Sequence, residues 1–364
     1  MSKRILIIGY GATAQSLAAI YTLRGFDVTL AFGSKESEKH FNVICDKGGI
    51  LLRGNGLRGL ALPKLTSDVA DALKNSDIIF VSVIANFHEE IARIISNGLR
   101  DGQLILIGPG NAGALVFSKV FRELSVRARV IIAETQGNFL PARITGPAEV
   151  IAAAALRSKK IAAFPSSDTP EAIAALDGIL ETDPLAHVFE TTLNSPNVIN
   201  HLVSTVLNAS KIDDKGKDFR LFIDGLTDSV LKGLEAAEAE WANVLSALGY
   251  WRMPSSVDHL RIVAERGKYP EFDAFRGLDG PDSIRHRYVT EDASGAVTLL
   301  VSLARLARVP VPFTEGLIAL VSALNSDDYY GKGRNLDNLG LGGKTLPQIH
   351  EILAKGRGAI TDVI

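Results

Sequence analysis

The sequence predicts an α/β domain with a small β insertion, followed by an all-α domain. Up to about residue 190, short β-rich runs alternate with stretches of helical spacing, a pattern typical of parallel strands joined by helical crossovers. Beyond that point helical spacing prevails, over residues 197–210, 220–248, 256–266 and 293–307. We therefore expect two domains, at residues 1–187 and 188–364.

The elements of the α/β domain follow from the period of its apolar residues. Five short runs predict strands, at 5–8, 28–32, 78–83, 104–107 and 130–134. Three intervening stretches predict helices, at 68–75, 88–97 and 114–123. The segment 48–65 interrupts the alternation, and Gly54-Asn55-Gly56 in its middle favours a hairpin turn. We interpret this segment as the β insertion.

The turn after the first strand has the residue pattern of a dinucleotide-binding loop. The strand runs directly into Gly9-x-Gly11-x-x-Ala14. Gly9 allows a tight turn, Gly11 lets the backbone approach phosphates, and Ala14 lets the helix pack closely on the strand. The N-terminus of that helix can then bind a pyrophosphate. The pattern predicts a Rossmann-type domain whose cofactor contacts Gly9, Gly11, Ala12, Thr13 and Ala14.

The end of the second strand indicates which cofactor binds. NAD-specific sites place an Asp or Glu there to bind the ribose hydroxyls, but residues 30–35 contain no carboxylate and end in Ser34 and Lys35. A hydroxyl and an ammonium can hold a 2′-phosphate, which a carboxylate would repel. We expect Ser34 and Lys35 to bind the cofactor and NADP(H) to be preferred, with NAD(H) as the alternative.

Two further strand ends lie on the sheet edge where ligands of open α/β sheets bind. Ile84 and Asn86 follow the third predicted strand, and the loop 108–113, with three glycines and a proline, follows the fourth. We assign Ile84, Asn86 and Gly110 to the cofactor and Asn111 to the substrate.

Composition and charge exclude several classes of partner. The 364 residues carry a formal net charge of −2, which indicates neither nucleic acid nor an anionic membrane. No apolar stretch reaches the roughly 18 residues of a membrane span, and the N-terminal run is too short for a signal peptide. The single cysteine, Cys45, cannot form an internal disulfide. We expect a cytoplasmic protein that binds no metal, nucleic acid or membrane.

Four separated motifs resemble those of the opine dehydrogenase family, of the octopine/nopaline type. They are GPGNAGALVF at 108–117, the stretch 194–209, RHRYVTED at 285–292 and the glycine-rich segment 331–343. The resemblance implies a Rossmann domain followed by a helical domain. It also implies a reaction in which a 2-oxo acid and an amine form an imine that NAD(P)H reduces. We further expect a homodimer.

The resemblance implies roles for three residues of the second domain. His201 is the acid/base residue by this match, Asp292 orients it and Arg287 anchors the substrate carboxylate. These roles make chemical sense, because imine reduction needs a proton donor with a pKa near neutral and a guanidinium binds a carboxylate bidentately. If a helix begins near Ala293, Asp292 would also lie at its N-terminus, where negative charge is favoured.

Some assignments leave rivals. Arg285 and His286 compete with Arg287 as the carboxylate anchor. The pocket for the amine is expected to include parts of 222–228 and 250–254, which offer no clearly selective charge.

Two other functions stay open. A simple 2-oxo acid or ketone reductase of the ketopantoate reductase or 6-phosphogluconate dehydrogenase type would use a lysine of the helical domain, for which Lys211 and Lys232 are candidates. A non-catalytic NADP(H)-sensing protein would have no need of an acid/base pair such as His201 and Asp292.

Overall fold

The computed structural model divides into two compact units. Met1–Thr192 together with His350–Ile364 form one, here called the α/β unit, and Leu193–Ile349 form the other, here called the helical unit. The structure describes residues 3–31, 38–54, 57–152, 156–265, 267–269, 276–277 and 279–356.

Twelve strands are assigned among the described residues, all in the α/β unit. They are β1 Arg4–Ile8, β2 Asp27–Ala31, β3 Ile50–Gly54, β4 Gly59–Ala61, β5 Lys64–Thr66, β6 Ile78–Val81, β7 Leu104–Ile107, β8 Ile131–Thr135, β9 Ala142–Gly146, β10 Glu149–Ala152, β11 Lys159–Ala163 and β12 Thr182–Pro184. All five predicted strands are present to within one or two residues, although Phe32, at the end of the second, lies outside the described residues.

Eight strands form the central sheet, in the order β12-β11-β8-β7-β6-β1-β2-β5. Every neighbouring pair is parallel except β8 and β11. The strands from β6 to β8 are buried along their whole length, as expected for a parallel sheet covered on both faces. This arrangement confirms the predicted Rossmann-type class.

The predicted β insertion is part of a second sheet, of order β4-β3-β10-β9. β3 and β4 form the expected antiparallel hairpin. Sequence reasoning missed the second hairpin, β9 and β10, which joins the first through a parallel pairing of β3 with β10. The last residues of the predicted insertion belong instead to β5, which pairs with β2 in the central sheet.

Seven α-helices accompany these sheets in the part of the chain that the structure describes. They are α1 Ala12–Leu23, α2 Glu38–Lys47, α3 Val69–Lys74, α4 His88–Ile95, α5 Gly113–Glu123, α6 Thr169–Leu176 and α7 Val188–Leu193. α1 contacts strands of both sheets, and its residues 14–21 are all buried. The sequence from Ala14 onward is therefore a core helix whose N-terminus lies at the carboxyl end of β1.

Helices make up the helical unit, as predicted. They are α8 Pro196–Val206, α9 Ala209–Lys215, α10 Asp228–Leu248, α11 Val257–Ala264, α12 Arg287–Asp292, α13 Thr298–Ala307, α14 Pro312–Asn325, α15 Tyr329–Lys332 and α16 Leu346–Lys355, with α16 running on into the α/β unit. No helix among the described residues is both long and apolar enough to cross a membrane.

One predicted helix start is wrong. The helix expected to begin near Ala293 begins at Arg287, because His286 caps it by accepting the Tyr288 N–H on Nδ1 at 3.3 Å. α12 then continues through a π-helical turn, Ala293–Val297, into α13. Asp292 is consequently the last residue of α12 rather than a residue at a helix N-terminus, so the helix dipole does not favour its charge.

Candidate active site

The turn after β1 accounts for Gly9. The φ angle of Gly9 is +139°, a conformation that favours glycine. A Cβ atom there would collide with the backbone carbonyl of Ser82, which follows β6. The Ser82 N–H also donates to the Ile8 carbonyl at 2.9 Å. The protein's own backbone therefore excludes a side chain at position 9.

Gly11, in contrast, has open space around it. It is the N-cap residue of α1, exposed, with φ −70° and ψ 175°, and a Cβ atom built there would have no neighbour within 4 Å. Among the described residues no side chain caps this helix end, and the first turn contains no acidic residue. The uncapped amides of α1 fit an anion such as the diphosphate of a dinucleotide.

The first turn of α1 contains the other three predicted residues of the loop. Ala12 and Thr13 are partly exposed, whereas Ala14 is completely buried. The Thr13 hydroxyl donates to the Leu140 carbonyl at 3.4 Å and accepts from Nδ2 of Asn138 at 3.1 Å. These contacts fasten the loop after β8 to the start of α1.

Of the next four residues predicted to contact the cofactor, the structure describes two. Ser34 and Lys35 lie outside the described residues. Ile84 is the N-cap residue of a 3₁₀ turn, Ala85–Phe87, and Asn86 is exposed within it. Since β6 is the neighbour of β1 in the sheet, Ile84 and Asn86 lie on the same sheet edge as the turn at Gly9.

The loop between β7 and α5 is held by side chains of the α/β unit itself. Asn111 and Ala112 have φ angles of +49° and +59°, in the left-handed region that non-glycine residues rarely adopt. The Ala112 N–H donates to Oγ1 of Thr192 at 2.6 Å, and the Ala114 N–H donates to the Glu134 carboxylate at 3.0 Å. The N-terminus of α5 is therefore already occupied by an internal carboxylate.

Glu134 is the centre of this arrangement. It is fully buried, and its carboxylate also accepts hydrogen bonds from the hydroxyls of Thr191 and Thr192, at 2.5 and 3.0 Å. A Cβ atom at Gly110 would lie 2.8 Å from Oε1 of Glu134. The buried carboxylate thus explains why position 110 is glycine. Asn111 beside it is only 5% exposed.

In the helical unit the structure brings His201 and Asp292 together. His201 lies on α8, and its Nδ1 is 3.0 Å from Oδ2 of Asp292. The two side chains are 14% and 8% exposed. A carboxylate at Nδ1 fixes the tautomer and orientation of an imidazole. Exchange of a proton with a bound molecule would then run through Nε2 of His201.

The sequence RYVTED presents two pairs of side chains on α12 at i, i+4 spacing, so each pair shares a face. Nη1 of Arg287 lies 3.4 Å from Oε2 of Glu291. Tyr288 and Asp292 form the other pair, and both contact His201. The rings of Tyr288 and His201 are stacked, with centroids 3.6 Å apart and planes 7° from parallel.

The three candidates for a carboxylate anchor differ in what they contact. Arg285 donates to the Asn325 carbonyl at 2.9 Å, and His286 caps α12. Arg287 lies near Asp292 and Tyr288, with its guanidinium carbon 5.3 Å from the centre of the Tyr288 ring. Its side chain is 43% exposed, so it is accessible to a bound carboxylate.

Burial shifts the titration of Asp292. Removal from water raises the pKa of its carboxyl to about 8, while the positive charge of Arg287 acts in the opposite direction. The Asp292 carboxyl therefore favours its protonated form near neutral pH, and this proton lies at the contact with Nδ1 of His201.

A cavity that is open to solvent also lies in the helical unit. Its lining includes Ile199, Trp241 and Met253, so it reaches the segment 250–254 but not 222–228, both expected around the amine. Ile199 and His201 are two residues apart on α8 and therefore face nearly opposite directions. The cavity lies away from the imidazole, and we do not assign it to the amine.

Comparisons with known proteins place this geometry in a family. A family model described as NAD/NADP octopine/nopaline dehydrogenase, alpha-helical domain, matches residues 184–325. One described as NADP oxidoreductase coenzyme F420-dependent matches 4–110. An opine dehydrogenase of Arthrobacter sp. (strain 1C) is 31% identical, covering 94% of this chain and 97% of its own. The chain belongs to the opine dehydrogenase family. It is an NAD(P)-dependent oxidoreductase acting on CH–NH bonds.

Solved structures agree in fold. An octopine dehydrogenase, in a complex with NADH and pyruvate, has a TM-score of 0.71 at 16% identity and covers 96% of this chain and 98% of its own. A ketopantoate reductase from Ralstonia eutropha JMP134 has a TM-score of 0.57 at 17% identity, with 89% and 98% covered. The fold is thus shared with the rival reductase class, and the relationship to opine dehydrogenases rests on sequence.

The lysines that the rival class would require are surface residues. Lys211 and Lys232 are exposed, and the Lys211 ammonium donates to the Asp224 carbonyl at 2.6 Å. Within the described part of the chain, no group of three His, Cys, Asp or Glu side chains could hold a metal ion.

Sequence reasoning missed Tyr288 and Glu134. The signal for Tyr288 was its i, i+4 spacing from Asp292 within RYVTED. The signal for Glu134 was a carboxylate inside the apolar run IIAET, since a buried charge requires partners. The family resemblance gave neither residue a role, because each acts through contacts with neighbouring side chains.

Proposed function

We propose that this enzyme condenses a 2-oxo acid with the amino group of an amino acid and reduces the resulting imine to a secondary amine dicarboxylate. The observation that carries the proposal is the contact of His201 with Asp292, with Arg287 on the same helix as Asp292. The octopine dehydrogenase complex with NADH and pyruvate supports a 2-oxo acid as one substrate. The overall reaction consumes the two substrates, NAD(P)H and a proton, and releases water and NAD(P)⁺.

His201 is proposed as the acid/base residue. Condensation requires removal of a proton from the amine and loss of water from the carbinolamine, and Nε2 of His201 can accept and return these protons. Asp292 holds Nδ1 and stabilises the imidazolium that forms. The bound NAD(P)H supplies hydride to the imine carbon. Because the C=N bond must be protonated for that step, the proton held by the His201–Asp292 pair keeps the imine reactive.

Arg287 is proposed as the anchor of the oxo-acid carboxylate. Among the described residues its one hydrogen bond is the 3.4 Å contact with Glu291, so most of its guanidinium N–H groups can bind a ligand. A bidentate pair would fix the carboxylate. The neighbouring carbonyl carbon would then be held in a single orientation toward the hydride. Asn111 is proposed as a further substrate contact.

The cofactor is proposed to bind by its diphosphate at the N-terminus of α1, with Gly11, Ala12 and Thr13 around it. Gly9 and Ala14 shape the turn, and Ile84, Asn86 and the backbone of Gly110 complete the set proposed for the cofactor. Ser34 and Lys35 are proposed to hold a 2′-phosphate, which makes NADPH the preferred donor and NADH the weaker one.

Charge reversal at Lys35 tests this preference. Lys35→Asp should move the ratio of kcat/KM for NADPH to that for NADH toward NADH by roughly 1–3 kcal/mol, the range of a charge-assisted contact. Steady-state kinetics with both cofactors provide the ratio. Lys47→Asp, at the end of α2, is the control for a general change of charge. Equal use of both cofactors by the unaltered enzyme would contradict the proposal.

The enzyme is further proposed to act in the cytoplasm as a homodimer. The support is the resemblance to opine dehydrogenases together with a fold that needs no disulfide, since Cys45 is the one cysteine. Sedimentation equilibrium of the purified protein measures the oligomeric state. A species of the monomer mass of 39.0 kDa at micromolar concentration would contradict the dimer.

A two-substrate assay tests the proposed reaction. Oxidation of NADPH is followed at 340 nm with pyruvate alone, with each of a panel of amino acids alone, and with both together. The proposal predicts turnover that depends on both. Turnover with the oxo acid alone would favour a simple reductase, and tight NADPH binding without turnover under any condition would favour a sensor.

A further inference from the structure

The motif RYVTED contains one aromatic residue that the proposed function does not use. We propose that Tyr288 is a positioning residue that holds the His201 imidazole in place and stabilises its protonated form. This inference rests on the proposed function, because it takes His201 as the proton donor.

Tyr288 and Asp292 restrain the same imidazole in two different ways. Asp292 contacts the ring edge at Nδ1, with a distance of 3.0 Å. Tyr288 covers one ring face, with centroids 3.6 Å apart and planes 7° from parallel. Rotation of the imidazole about its Cβ–Cγ bond would break both contacts. The direction of Nε2 is therefore fixed by two residues that are one turn apart on a single helix.

The Tyr288 ring is itself held firmly. It is 8% exposed and packs in an apolar cluster with Ile212, Phe219 and Leu221. The His286 ring meets it edge-on, with centroids 4.6 Å apart and planes at 90°. A ring packed on this many sides can impose its orientation on a neighbour.

An aromatic face also favours a particular charge state. The negative face of a phenol ring attracts a cation stacked on it, whereas a neutral imidazole gains less. The stack therefore stabilises imidazolium relative to imidazole. The Asp292 carboxylate at Nδ1 acts in the same direction. Positive charge on Arg287 or His286, which both contact the Tyr288 ring, acts against it. Since reduction of the imine requires a protonated donor, the stack extends activity toward higher pH.

Two substitutions of Tyr288 separate the effect of its aromatic ring from that of its hydroxyl. Tyr288→Leu removes the aromatic face, and Tyr288→Phe keeps it. In the Leu variant the alkaline limb of the kcat/KM profile, measured in the reductive direction, should move to lower pH by about 0.4–1.5 pH units. Loss of orientation should also lower kcat by roughly 10-fold or more. The Phe variant should retain the wild-type limb and a kcat within about 2-fold, since the stacked ring is preserved.

Tyr329→Leu is the matched control. Tyr329 is also a buried tyrosine of the helical unit, 5% exposed, but its hydroxyl accepts from Asn325 on α14. Its loss should lower the melting temperature without moving the alkaline limb. A shift of the limb in this variant equal to that of Tyr288→Leu would reduce the role of Tyr288 to general packing and overturn the proposal.

An NMR measurement on the unaltered protein does not depend on whether Tyr288→Leu folds. Stacking at this distance predicts an upfield ring-current shift of the His201 Hε1 resonance, identified by its loss in His201→Ala. A resonance at the random-coil position would contradict the stack. Full activity of His201→Ala would overturn the proposed function itself. Loss of activity in His201→Ala with a wild-type kcat and pH profile in Tyr288→Leu would overturn the positioning role alone.

Discussion

The two units offer polar groups to ligands in opposite ways. In the α/β unit the amides at the N-terminus of α1 are uncapped by side chains among the described residues, and Gly11 lies in open space. In the helical unit the His201 imidazole is held at its edge by Asp292 and on its face by Tyr288. Backbone amides bind an anion and transfer no proton. An imidazole held in one orientation can donate and accept a proton at its remaining ring nitrogen. We infer that cofactor affinity and proton transfer can be altered separately.

A second contrast lies within the α/β unit. α1 and α5 both follow glycine-containing loops at the same sheet edge, but the N-terminus of α5 receives the buried Glu134 carboxylate. Gly110 faces that carboxylate, whereas no atom lies within 4 Å of a Cβ at Gly11. A glycine can thus make room for the protein's own side chain as readily as for a ligand. Only the neighbours distinguish the two cases.

The largest expected effect is that of removing the imidazole. His201→Ala should lower kcat by on the order of 10²–10⁴, the usual contribution of a positioned general acid/base. The dissociation constant of NADPH, from fluorescence titration, should change by less than about 2-fold, because the groups proposed to bind it belong to the α/β unit. His259→Ala, an exposed histidine on α11, is the control. Near-normal kcat at pH 7 in His201→Ala would show that another residue is the acid.

Removing the charge of Asp292 should have a smaller effect on turnover. Asp292→Asn keeps the side-chain size but cannot hold an imidazolium, so kcat should fall roughly 10- to 100-fold, as for other partners that orient a histidine. NADPH affinity should again stay unchanged. A loss of cofactor affinity as large as the loss of kcat would contradict the inference that cofactor affinity and proton transfer can be altered separately.

The same variant has a signature in stability. The folded-state pKa of Asp292, raised to about 8 by burial, lies above the unfolded value of roughly 3.9. Ionisation of this carboxyl therefore costs stability progressively as pH rises from about 4 to about 8. Asp292→Asn has no such cost, so its melting temperature should gain on the wild type between pH 5 and pH 8. A melting temperature of Asp292→Asn that falls relative to the wild type between pH 5 and pH 8 would contradict the raised pKa of Asp292.

Alanine substitutions of the two loop glycines should have different effects. Gly11→Ala should fold normally, because φ is −70° and no atom lies within 4 Å of the new Cβ, but it should raise the dissociation constant of NADPH about 10-fold or more by blocking charge-assisted contacts to phosphate. Gly9→Ala should instead lower the melting temperature, since its φ is +139° and its Cβ meets Ser82. Calorimetry and NADPH titration separate the two outcomes. Unchanged NADPH affinity in Gly11→Ala would contradict cofactor binding at the N-terminus of α1.

The smallest expected effect concerns Arg287. Arg287→Lys keeps the charge but loses the planar fork, so the oxo-acid KM should rise and kcat fall together, by roughly 5- to 10-fold. The amine KM should move much less. Initial rates with each substrate varied at saturating levels of the other provide both values. A rise in the amine KM alone would assign Arg287 to the second substrate.

Local patterns predicted much of this molecule. The parallel sheet, the turn at Gly9 and the helical second half follow from apolar period and glycine spacing, which act over a few residues. The second hairpin, β9 and β10, was missed because its pairing with β3 joins segments about a hundred residues apart. The start of α12 was misplaced because His286, an unusual cap, begins it. The contact of Asp292 with His201 spans 91 residues, and only the family resemblance could suggest it.

Isotope transfer distinguishes reduction of a C=N bond from reduction of a C=O bond. The enzyme is incubated with pyruvate, a ¹⁵N-labelled amino acid and NADPH deuterated at the transferable position of C4, and the product is analysed by mass spectrometry. We expect a secondary amine dicarboxylate that carries both labels, with deuterium on the carbon that came from the oxo acid and ¹⁵N bonded to it. A deuterated 2-hydroxy acid without ¹⁵N would contradict the proposed condensation and identify a simple 2-oxo acid reductase.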